Sequence, residues 1–318
     1  MERYPSYRQL FASGELARRV KEAEGILARC SLCPRKCGAN RLAGELGYCR
    51  SGALPRVASW NRHIWEEPPI SGTEGSGTIF FSGCTGACRF CQNYPISQLG
   101  VGQNVSIERL ASMMLELQRR RCHNINLVTG THFVPQILAA LQVAIPQGFR
   151  LPLVYNSSGY ETVQTLRLLQ DVVDVYLPDA KYADNQVAQE LSGFHSYVEH
   201  NRTALLEMYR QVGPTLLLDK DGLAVRGMIV RHMVLPYGLA GSSLVARWLA
   251  ANLSPEVHVS VMNQYFPAHR AVGDQRLGRK VTTEEYQAAV QAFVDAGLEN
   301  GWLQEPDDEC VAVDTTAG

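Results

Sequence analysis

The sequence predicts an α/β fold, namely a partial (β/α)6 barrel of the TIM type with a small Cys-rich N-terminal metal-binding segment. Three observations support this prediction. Short apolar, β-branched runs alternate with amphipathic helical stretches from about residue 78 onward, as in parallel βαβ units. Six such runs are present, fewer than the eight strands of a complete TIM barrel. The first 55 residues instead combine four cysteines with few apolar residues that could form a core.

The six apolar runs are the predicted strands of the barrel. They are residues 78–81, 125–129, 153–156, 174–177, 228–235 and 257–262. Helices are predicted between them, and two have recognisable starts. Ser106 is a candidate N-cap, and Thr282 with Glu285 has the spacing of a capping box. We therefore expect a cysteine-rich segment at 1–55, the barrel at 56–300 and an acidic tail at 301–318.

Composition and charge limit the classes of function. The formal net charge of −1 argues against a broad binding surface for nucleic acid or anionic membranes. No apolar run approaches the roughly 18 residues needed to span a bilayer, and the start lacks the apolar stretch of a signal peptide. We expect a cytoplasmic protein with no nucleic-acid and no membrane partner.

The cysteines fall into two tight groups. Seven of the nine lie at positions 30, 33, 37 and 49 or at 84, 88 and 91. Disulfides are rare in the cytoplasm, so such groups indicate metal sites. A disulfide framework is the alternative, which the odd count and the clustering disfavour.

The second group carries the clearest chemical signal. An apolar strand runs directly into a loop in which Cys84, Cys88 and Cys91 have Cys-x3-Cys-x2-Cys spacing. Three thiolates can hold three irons of a [4Fe–4S] cluster, whereas a complete structural site would take four cysteines. The open iron is then free to bind a substrate, as at an open catalytic zinc site. A zinc loop with a fourth ligand elsewhere, such as His63 or Cys122, is the alternative.

The first group supplies four thiolates within 20 residues: Cys30, Cys33, Cys37 and Cys49. Four sulfurs suit tetrahedral zinc, a closed iron–sulfur cluster or a single iron. We expect a second metal here, structural or auxiliary. The spacing does not choose between zinc and iron–sulfur.

The loop with Cys84, Cys88 and Cys91 resembles that of radical S-adenosylmethionine (SAM) enzymes. In that family the open iron chelates SAM, and one electron cleaves SAM to methionine and a 5′-deoxyadenosyl radical that abstracts hydrogen. The resemblance implies that Phe90 packs near the adenine.

Further segments resemble the PflX-like group, uncharacterised homologues of the pyruvate formate-lyase activating enzyme. They extend over roughly residues 30 to 270. They are 33–38 (CPRKCG), 66–72 (EEPPISG), 91–94 (CQNY), 124–129 (NINLVT), 176–182 (YLPDAKY), 231–236 (RHMVLP) and 262–265 (MNQY).

This second resemblance implies a set of SAM contacts at the strand ends. Activating enzymes have a carboxylate after the second strand, where this chain has Thr129 and Thr131. The implied contacts are Thr129 or Thr131 for the SAM amino group, Asn156 and Ser158 for its carboxylate or ribose, Asp179 and Lys181 near SAM and the substrate, Arg231 for the carboxylate, and Gln264. His63, Glu66 and Glu67, before the first barrel strand, are interpreted as a solvated charged loop; a part of the substrate site and a brace for the N-terminal segment are the alternatives.

The expected function is therefore that of a radical SAM enzyme with an unknown substrate. Its implied partners are SAM, an electron donor such as flavodoxin or ferredoxin, and a protein substrate if the chain activates a glycyl-radical enzyme. One alternative is a non-catalytic iron–sulfur or zinc protein for binding or redox sensing. Another is a radical SAM methyltransferase, which the lack of an evident cobalamin-binding domain disfavours.

Overall fold

The computed structural model describes residues 5–304. Residue 310, a cysteine, and most of the predicted acidic tail lie outside the described residues. Strands are β1 (Arg56–His63), β2 (Ser76–Phe81), β3 (Gln103–Asn104), β4 (Ile125–Val128), β5 (Leu153–Ser157), β6 (Val175–Pro178), β7 (Leu217–Leu218), β8 (Ala224–Met233), β9 (His258–Met262) and β10 (Gly301–Leu303). Helices are α1 (Tyr7–Ala12), α2 (Glu15–Ile26), α3 (Pro68–Ser71), α4 (Tyr94–Ser97), α5 (Ile107–Arg119), α6 (Val134–Ala144), α7 (Val163–Leu168), α8 (Asn185–Ser192), α9 (Tyr197–Val212), α10 (Ser242–Asn252) and α11 (Thr283–Asp295).

The strands form one open sheet in the order β10-β9-β8-β6-β5-β4-β2-β1-β3, with β7 on the side of β8. The six predicted strands correspond to β2, β4, β5, β6, β8 and β9, and neighbouring members of this set are parallel. The partial barrel predicted from the sequence is therefore confirmed. Because parallel strands share a direction, their carboxyl ends meet along one edge.

The two faces of the sheet have different partners, because side chains alternate along each strand. Ile79, Leu127, Tyr155 and Val230 belong to the main core, together with apolar side chains of α5, α6 and α11. The opposite face carries a smaller apolar cluster around Val154, Val175 and Ile229, and it is polar on β2 and β4. There Thr78 pairs in register with Asn126, and both are fully buried.

Helix starts agree with the capping signals in the sequence. Ser106 accepts the N–H of Arg109 and caps α5, and Thr282 and Glu285 form a complete capping box at α11. The buried α6 and the strands β1 and β10 were not anticipated.

The first 55 residues pack on the barrel along their length. Tyr7 stacks on Phe149 with ring centroids 5.8 Å apart, and Leu16 and Ala23 of α2 belong to the main core. At the other end, β10 pairs with β9, so the folded part reaches at least Leu303. Within residues 5–304 we find no helix that is both long and apolar enough to cross a membrane.

Candidate active site

The cysteine loop begins where β2 ends, at the carboxyl edge of the sheet. Three hydrogen bonds hold its backbone. The N–H groups of Ala87 and Arg89 donate to the carbonyls of Ser192 (2.9 Å) and Leu191 (2.8 Å), and Gln98 Nε2 donates to the Cys88 carbonyl (3.0 Å). The C-terminal end of α8 and the segment after α4 therefore fix the loop from two sides.

Burial and the neighbouring thiols of this loop raise the pKa values of Cys84 and Cys88. Burial, followed by the charges of Cys88 and Cys91, raises the pKa of the Cys84 thiol to about 12, and burial raises that of Cys88. Cys84 Sγ accepts the Gly86 N–H (3.3 Å), and Cys91 Sγ lies 3.2 Å from Ser97 Oγ. Buried thiols of this kind ionise on binding a metal, which releases their protons.

A buried cation faces two of these thiols from the end of β6. Lys181 Nζ lies 2.5 Å from Asp179 Oδ2. Burial lowers the pKa of Lys181, but the charges of Asp179, Cys88 and Cys84 raise it by more. The side chain therefore stays an ammonium, and it attracts anionic groups at the strand ends.

The end of β4 carries a strained residue at the position where the resemblance implies a SAM contact. Thr129 has φ +58°, a left-handed conformation that is unfavourable for a β-branched side chain. Such a conformation costs about 1–3 kcal/mol and is found mainly at functional sites. The Thr129 N–H donates to the carbonyl of Asn156 (2.9 Å), which ties the ends of β4 and β5 together.

Thr131, two residues later, has a different partner. Its hydroxyl donates to Glu161 Oε1 (2.6 Å), and both side chains are buried. Burial raises the pKa of Glu161 to about 8. The Thr131 hydroxyl is thus engaged by a carboxyl group of this chain, and its predicted contact with SAM stays a prediction.

The remaining predicted contacts lie along the same edge. Asn156 and Ser158 are half-buried at the end of β5. The Gln264 carbonyl accepts from Gln92 Nε2 (2.8 Å), directly after Cys91. Phe90 is buried, with its ring edge-on to Tyr265 at 5.6 Å. The fold thus brings the ends of β2, β5 and β9 into one region.

Arg231 is held by two glutamates that precede β2. Its Nε and Nη2 donate to Glu67 Oε1 (2.8 Å) and Oε2 (2.7 Å), and Nη2 also pairs with Glu66. Asn126 Nδ2 donates to Glu66 Oε1 (3.0 Å). Burial raises the pKa of Glu66, but His63 and Arg231 lower it further, to about 2.

The interpretation of Glu66 and Glu67 as part of a solvated loop is wrong, since both side chains are at most 7% exposed. Both carboxylates are buried because they pair with Arg231 and compensate its buried charge. The predicted contact of Arg231 with SAM stays a prediction. His232, its neighbour, faces the helices and bonds the Ala180 carbonyl (2.7 Å) and Ser242 Oγ (2.9 Å).

The four N-terminal cysteines lie near one another, and Cys49 lies next to the cysteine loop at Gly83. Cys30 and Cys49 are buried, Cys33 is half-buried and Cys37 is exposed. Burial raises the pKa of Cys33 to about 12, with smaller contributions from Cys49 and Cys30. Thr162 and Thr165, at the start of α7, both donate to the Leu32 carbonyl (3.2 and 2.7 Å). These two hydrogen bonds attach the N-terminal cysteine segment to the start of α7.

Between residues 5 and 304 no three His, Cys, Asp or Glu side chains converge closely enough to hold a single metal ion. A cubane cluster binds each cysteine through a different iron, so its sulfurs need not meet around one ion. The loop donor set of Cys84, Cys88 and Cys91, with the Lys181 ammonium beside it, therefore fits a cluster better than a lone ion.

Comparison with known proteins agrees with this geometry. The family model of the radical SAM superfamily matches residues 78–217. An uncharacterized protein of Methanocaldococcus jannaschii is 30% identical over 280 residues, which cover 86% of this chain and 76% of that protein. The chain belongs to the radical SAM superfamily. Membership implies an enzyme that uses a [4Fe–4S] cluster and SAM.

Solved structures resemble the chain more distantly. The hydrogenase maturase HydG of Carboxydothermus hydrogenoformans is 12% identical with a TM-score of 0.48, and the match covers 70% of this chain and 52% of HydG. The chain thus spans about half of HydG. Methylornithine synthase is 12% identical with a TM-score of 0.47, covering 76% of this chain and 77% of the synthase.

Two residues of the site were missed by sequence reasoning. Tyr197 Oη accepts the Lys181 N–H (3.0 Å) and lies 2.9 Å from the Ser158 carbonyl, so it links the ends of β5 and β6. Glu161 binds Thr131. An acidic residue soon after a strand end was a usable signal for Glu161, whereas nothing near Tyr197 indicated its role.

Proposed function

We propose that the chain uses Cys84, Cys88 and Cys91 to hold a [4Fe–4S] cluster that reductively cleaves SAM, and that the resulting 5′-deoxyadenosyl radical abstracts hydrogen from a substrate. The observation that carries this proposal is the position of the three thiols at the carboxyl edge of the sheet, beside the Lys181 ammonium. When bound, the cluster supplies the electron and an open iron for SAM.

The side chains around the loop have separate proposed tasks. Lys181 would attract the SAM carboxylate, with Asp179 fixing its ammonium. Thr129, Asn156 and Ser158 would contact the amino group and ribose, since they end adjacent strands. Phe90 would pack against the adenine, and Gln264 would close the site beside Gln92.

The finer proposal is membership of the PflX-like group and an activase-like reaction. A glycine Cα of a partner protein is then the candidate source of hydrogen, and an acidic one-electron carrier such as flavodoxin or ferredoxin is the candidate donor. The open sheet supports a large substrate, because its edge strands β3 and β10 do not pair with each other. We also propose that Cys30, Cys33, Cys37 and Cys49 hold a second metal. Because no three of these described side chains converge around one ion, an iron–sulfur cluster fits them better than zinc.

The experiment that tests SAM binding is electron paramagnetic resonance of the anaerobically reconstituted, dithionite-reduced protein with and without SAM. Binding of SAM to the open iron is expected to change the spectrum of the reduced cluster. A Cys88→Ala variant should lose this SAM-dependent change of the spectrum. Cys122→Ala, at a buried cysteine outside both groups, should keep it. A wild-type spectrum unaffected by saturating SAM would contradict the proposal.

A further inference from the structure

The N-terminal cysteine segment is bonded directly to the loop of the proposed cluster. Arg35 lies between Cys33 and Cys37. Its Nε donates to the Thr85 carbonyl (2.5 Å) and its Nη2 to the Gly193 carbonyl (2.6 Å). Its guanidinium carbon lies 3.3 Å from the centroid of the Tyr48 ring. A side chain of the N-terminal cysteine segment thus bonds the backbone of Thr85, the residue after Cys84.

A backbone contact joins the two groups a second time. Gly83 precedes Cys84 and has φ +84°, and a Cβ there would lie 2.4 Å from the carbonyl oxygen of Cys49. The backbones can approach this closely only because residue 83 is a glycine. The position of Cys49 therefore limits the position of Cys84.

A third link passes through a buried arginine of the same segment. Arg41 is 1% exposed, and its Nη1 donates to the His132 carbonyl (2.6 Å). The His132 ring in turn bonds the Ser82 carbonyl through Nε2 (2.9 Å). Gly83 and Thr85, on either side of Cys84, thus contact the N-terminal segment directly. Ser82 is bonded to it through His132.

Arg35 also joins the loop to the C-terminal end of α8. That end already accepts the N–H groups of Ala87 and Arg89 at Ser192 and Leu191, and Arg35 adds a bond at Gly193, directly after the helix. Delocalised guanidinium groups can bridge two carbonyls in this way, which a lysine cannot do with the same geometry. Arg35 thereby connects the N-terminal cysteines, the loop and the C-terminal end of α8.

We propose that Arg35 is a positioning residue for the cluster cysteines, and that the N-terminal cysteine segment sets the geometry of the SAM-binding loop through it. This inference rests on the proposed function of Cys84, Cys88 and Cys91. Removing the guanidinium frees the Thr85 carbonyl and lets the loop shift. A displacement of the reacting groups by roughly 1 Å can slow a reaction by about 100-fold.

The test compares the full-length chain, reconstituted anaerobically, as wild type, Arg35→Gln, Arg35→Lys and the matched control Arg18→Gln. Arg18 is an exposed arginine of α2 whose partners are Glu15 and Glu22. Iron content, the reduced-cluster spectrum with and without SAM, and the dependence of 5′-deoxyadenosine formation on SAM concentration are measured. Circular dichroism checks the fold.

We expect R35Q to keep its fold and most of its iron, but to show an altered spectrum of the reduced cluster. Its half-saturating SAM concentration should rise about 10-fold or more, because the loop no longer presents the open iron in one position. R35K should lie between R35Q and wild type, and R18Q should match wild type. A Cys37→Ser variant, which keeps Arg35 but alters the N-terminal group, should raise the half-saturating SAM concentration in the same direction as R35Q.

A wild-type spectrum and wild-type SAM dependence in R35Q would overturn the positioning role. If R35Q does not fold, R35K decides, because it keeps the positive charge and loses the two-carbonyl bridge. An unchanged SAM dependence in folded C37S would overturn the coupling between the two cysteine groups. Failure of wild type to form 5′-deoxyadenosine would instead contradict the proposed function, while the spectra without SAM would still test the role of Arg35.

Discussion

Lys181 Nζ lies 2.5 Å from Asp179 Oδ2 at the carboxyl end of β6, and both side chains are less than one-fifth exposed. The ammonium also interacts with the thiols of Cys84 and Cys88. One buried pair therefore connects the end of the fourth barrel strand, β6, with the cysteine loop after the first, β2. Its electrostatic attraction is strong because little water reaches it.

Replacing Lys181 by Met removes the ammonium and leaves Asp179 without its partner. We expect SAM cleavage to slow by about 100-fold, since one preorganised charge at the reacting centre is lost. Stability should also fall, and the double variant Asp179→Asn/Lys181→Met should recover stability but not activity. The exposed Lys21→Met serves as control, and near-normal cleavage by K181M would contradict the role of Lys181.

Arg231 and Arg18 offer a comparison of buried and exposed ion pairs. Arg231→Met leaves Glu67 buried without its counter-charge and Glu66 with His63 alone, so we expect a loss of about 3–5 kcal/mol. Arg18→Met removes a side chain that is 62% exposed and paired with Glu15 and Glu22, so the expected loss is about 1 kcal/mol or less. Urea unfolding measures both, and equal losses would show that the glutamates are not compensated mainly by Arg231.

Glu161 should make stability depend on pH. Its pKa is raised by burial from 4.5 to about 8, so the folded state holds a proton that the unfolded state has released between these values. The free energy of unfolding should therefore fall as pH rises from about 4.5 to 8. Glu161→Gln keeps an acceptor for Thr131 and cannot ionise. The free energy of unfolding of this variant should therefore fall less with rising pH than that of wild type, by up to about 4 kcal/mol at pH 8.5.

The comparison is made by urea unfolding of both proteins at several pH values. Asp174, whose pKa burial raises to about 7, titrates in the same range but is present in both proteins. Its contribution cancels in the difference. Parallel profiles for wild type and E161Q would mean that Glu161 ionises normally in the folded state.

Two glycines with similar backbone angles separate strain from crowding. Gly148 has φ +89° and open space where a Cβ would project, whereas Gly83 has φ +84° and the Cys49 carbonyl oxygen would lie 2.4 Å from its Cβ. Gly148→Ala should cost about 1–2 kcal/mol from backbone strain alone. Gly83→Ala should cost more and should lower the iron bound by the reconstituted chain. Equal effects of the two variants would contradict the contact between Cys49 and the cluster loop.

The parts of the molecule that the sequence predicted are those determined by local pattern. Apolar runs predicted the six parallel strands. The spacing of Cys84, Cys88 and Cys91 predicts the cluster loop in the same way, because neighbours in sequence supply its donors. The partners of Arg231 could not be found in this way, since Glu67 lies 164 residues away in the chain. The same holds for Arg35 and Gly193, which the fold alone brings together.

β1 and α6 were missed for physical reasons that differ. β1 (Arg56–His63) is an antiparallel strand with many polar side chains, so its pattern resembles a loop. α6 is apolar nearly all round because it is buried on most sides, which removes the amphipathic period that marks a helix.

The measurement that tests the central claim most directly is formation of 5′-deoxyadenosine from SAM by the anaerobically reconstituted, dithionite-reduced chain. Wild type should form it together with methionine, and a variant with alanine at Cys84, Cys88 and Cys91 should form none. Cys122→Ala, as control, should behave as wild type. Absence of 5′-deoxyadenosine from a fully iron-loaded, SAM-saturated wild type, or equal amounts from the triple variant, would contradict the account.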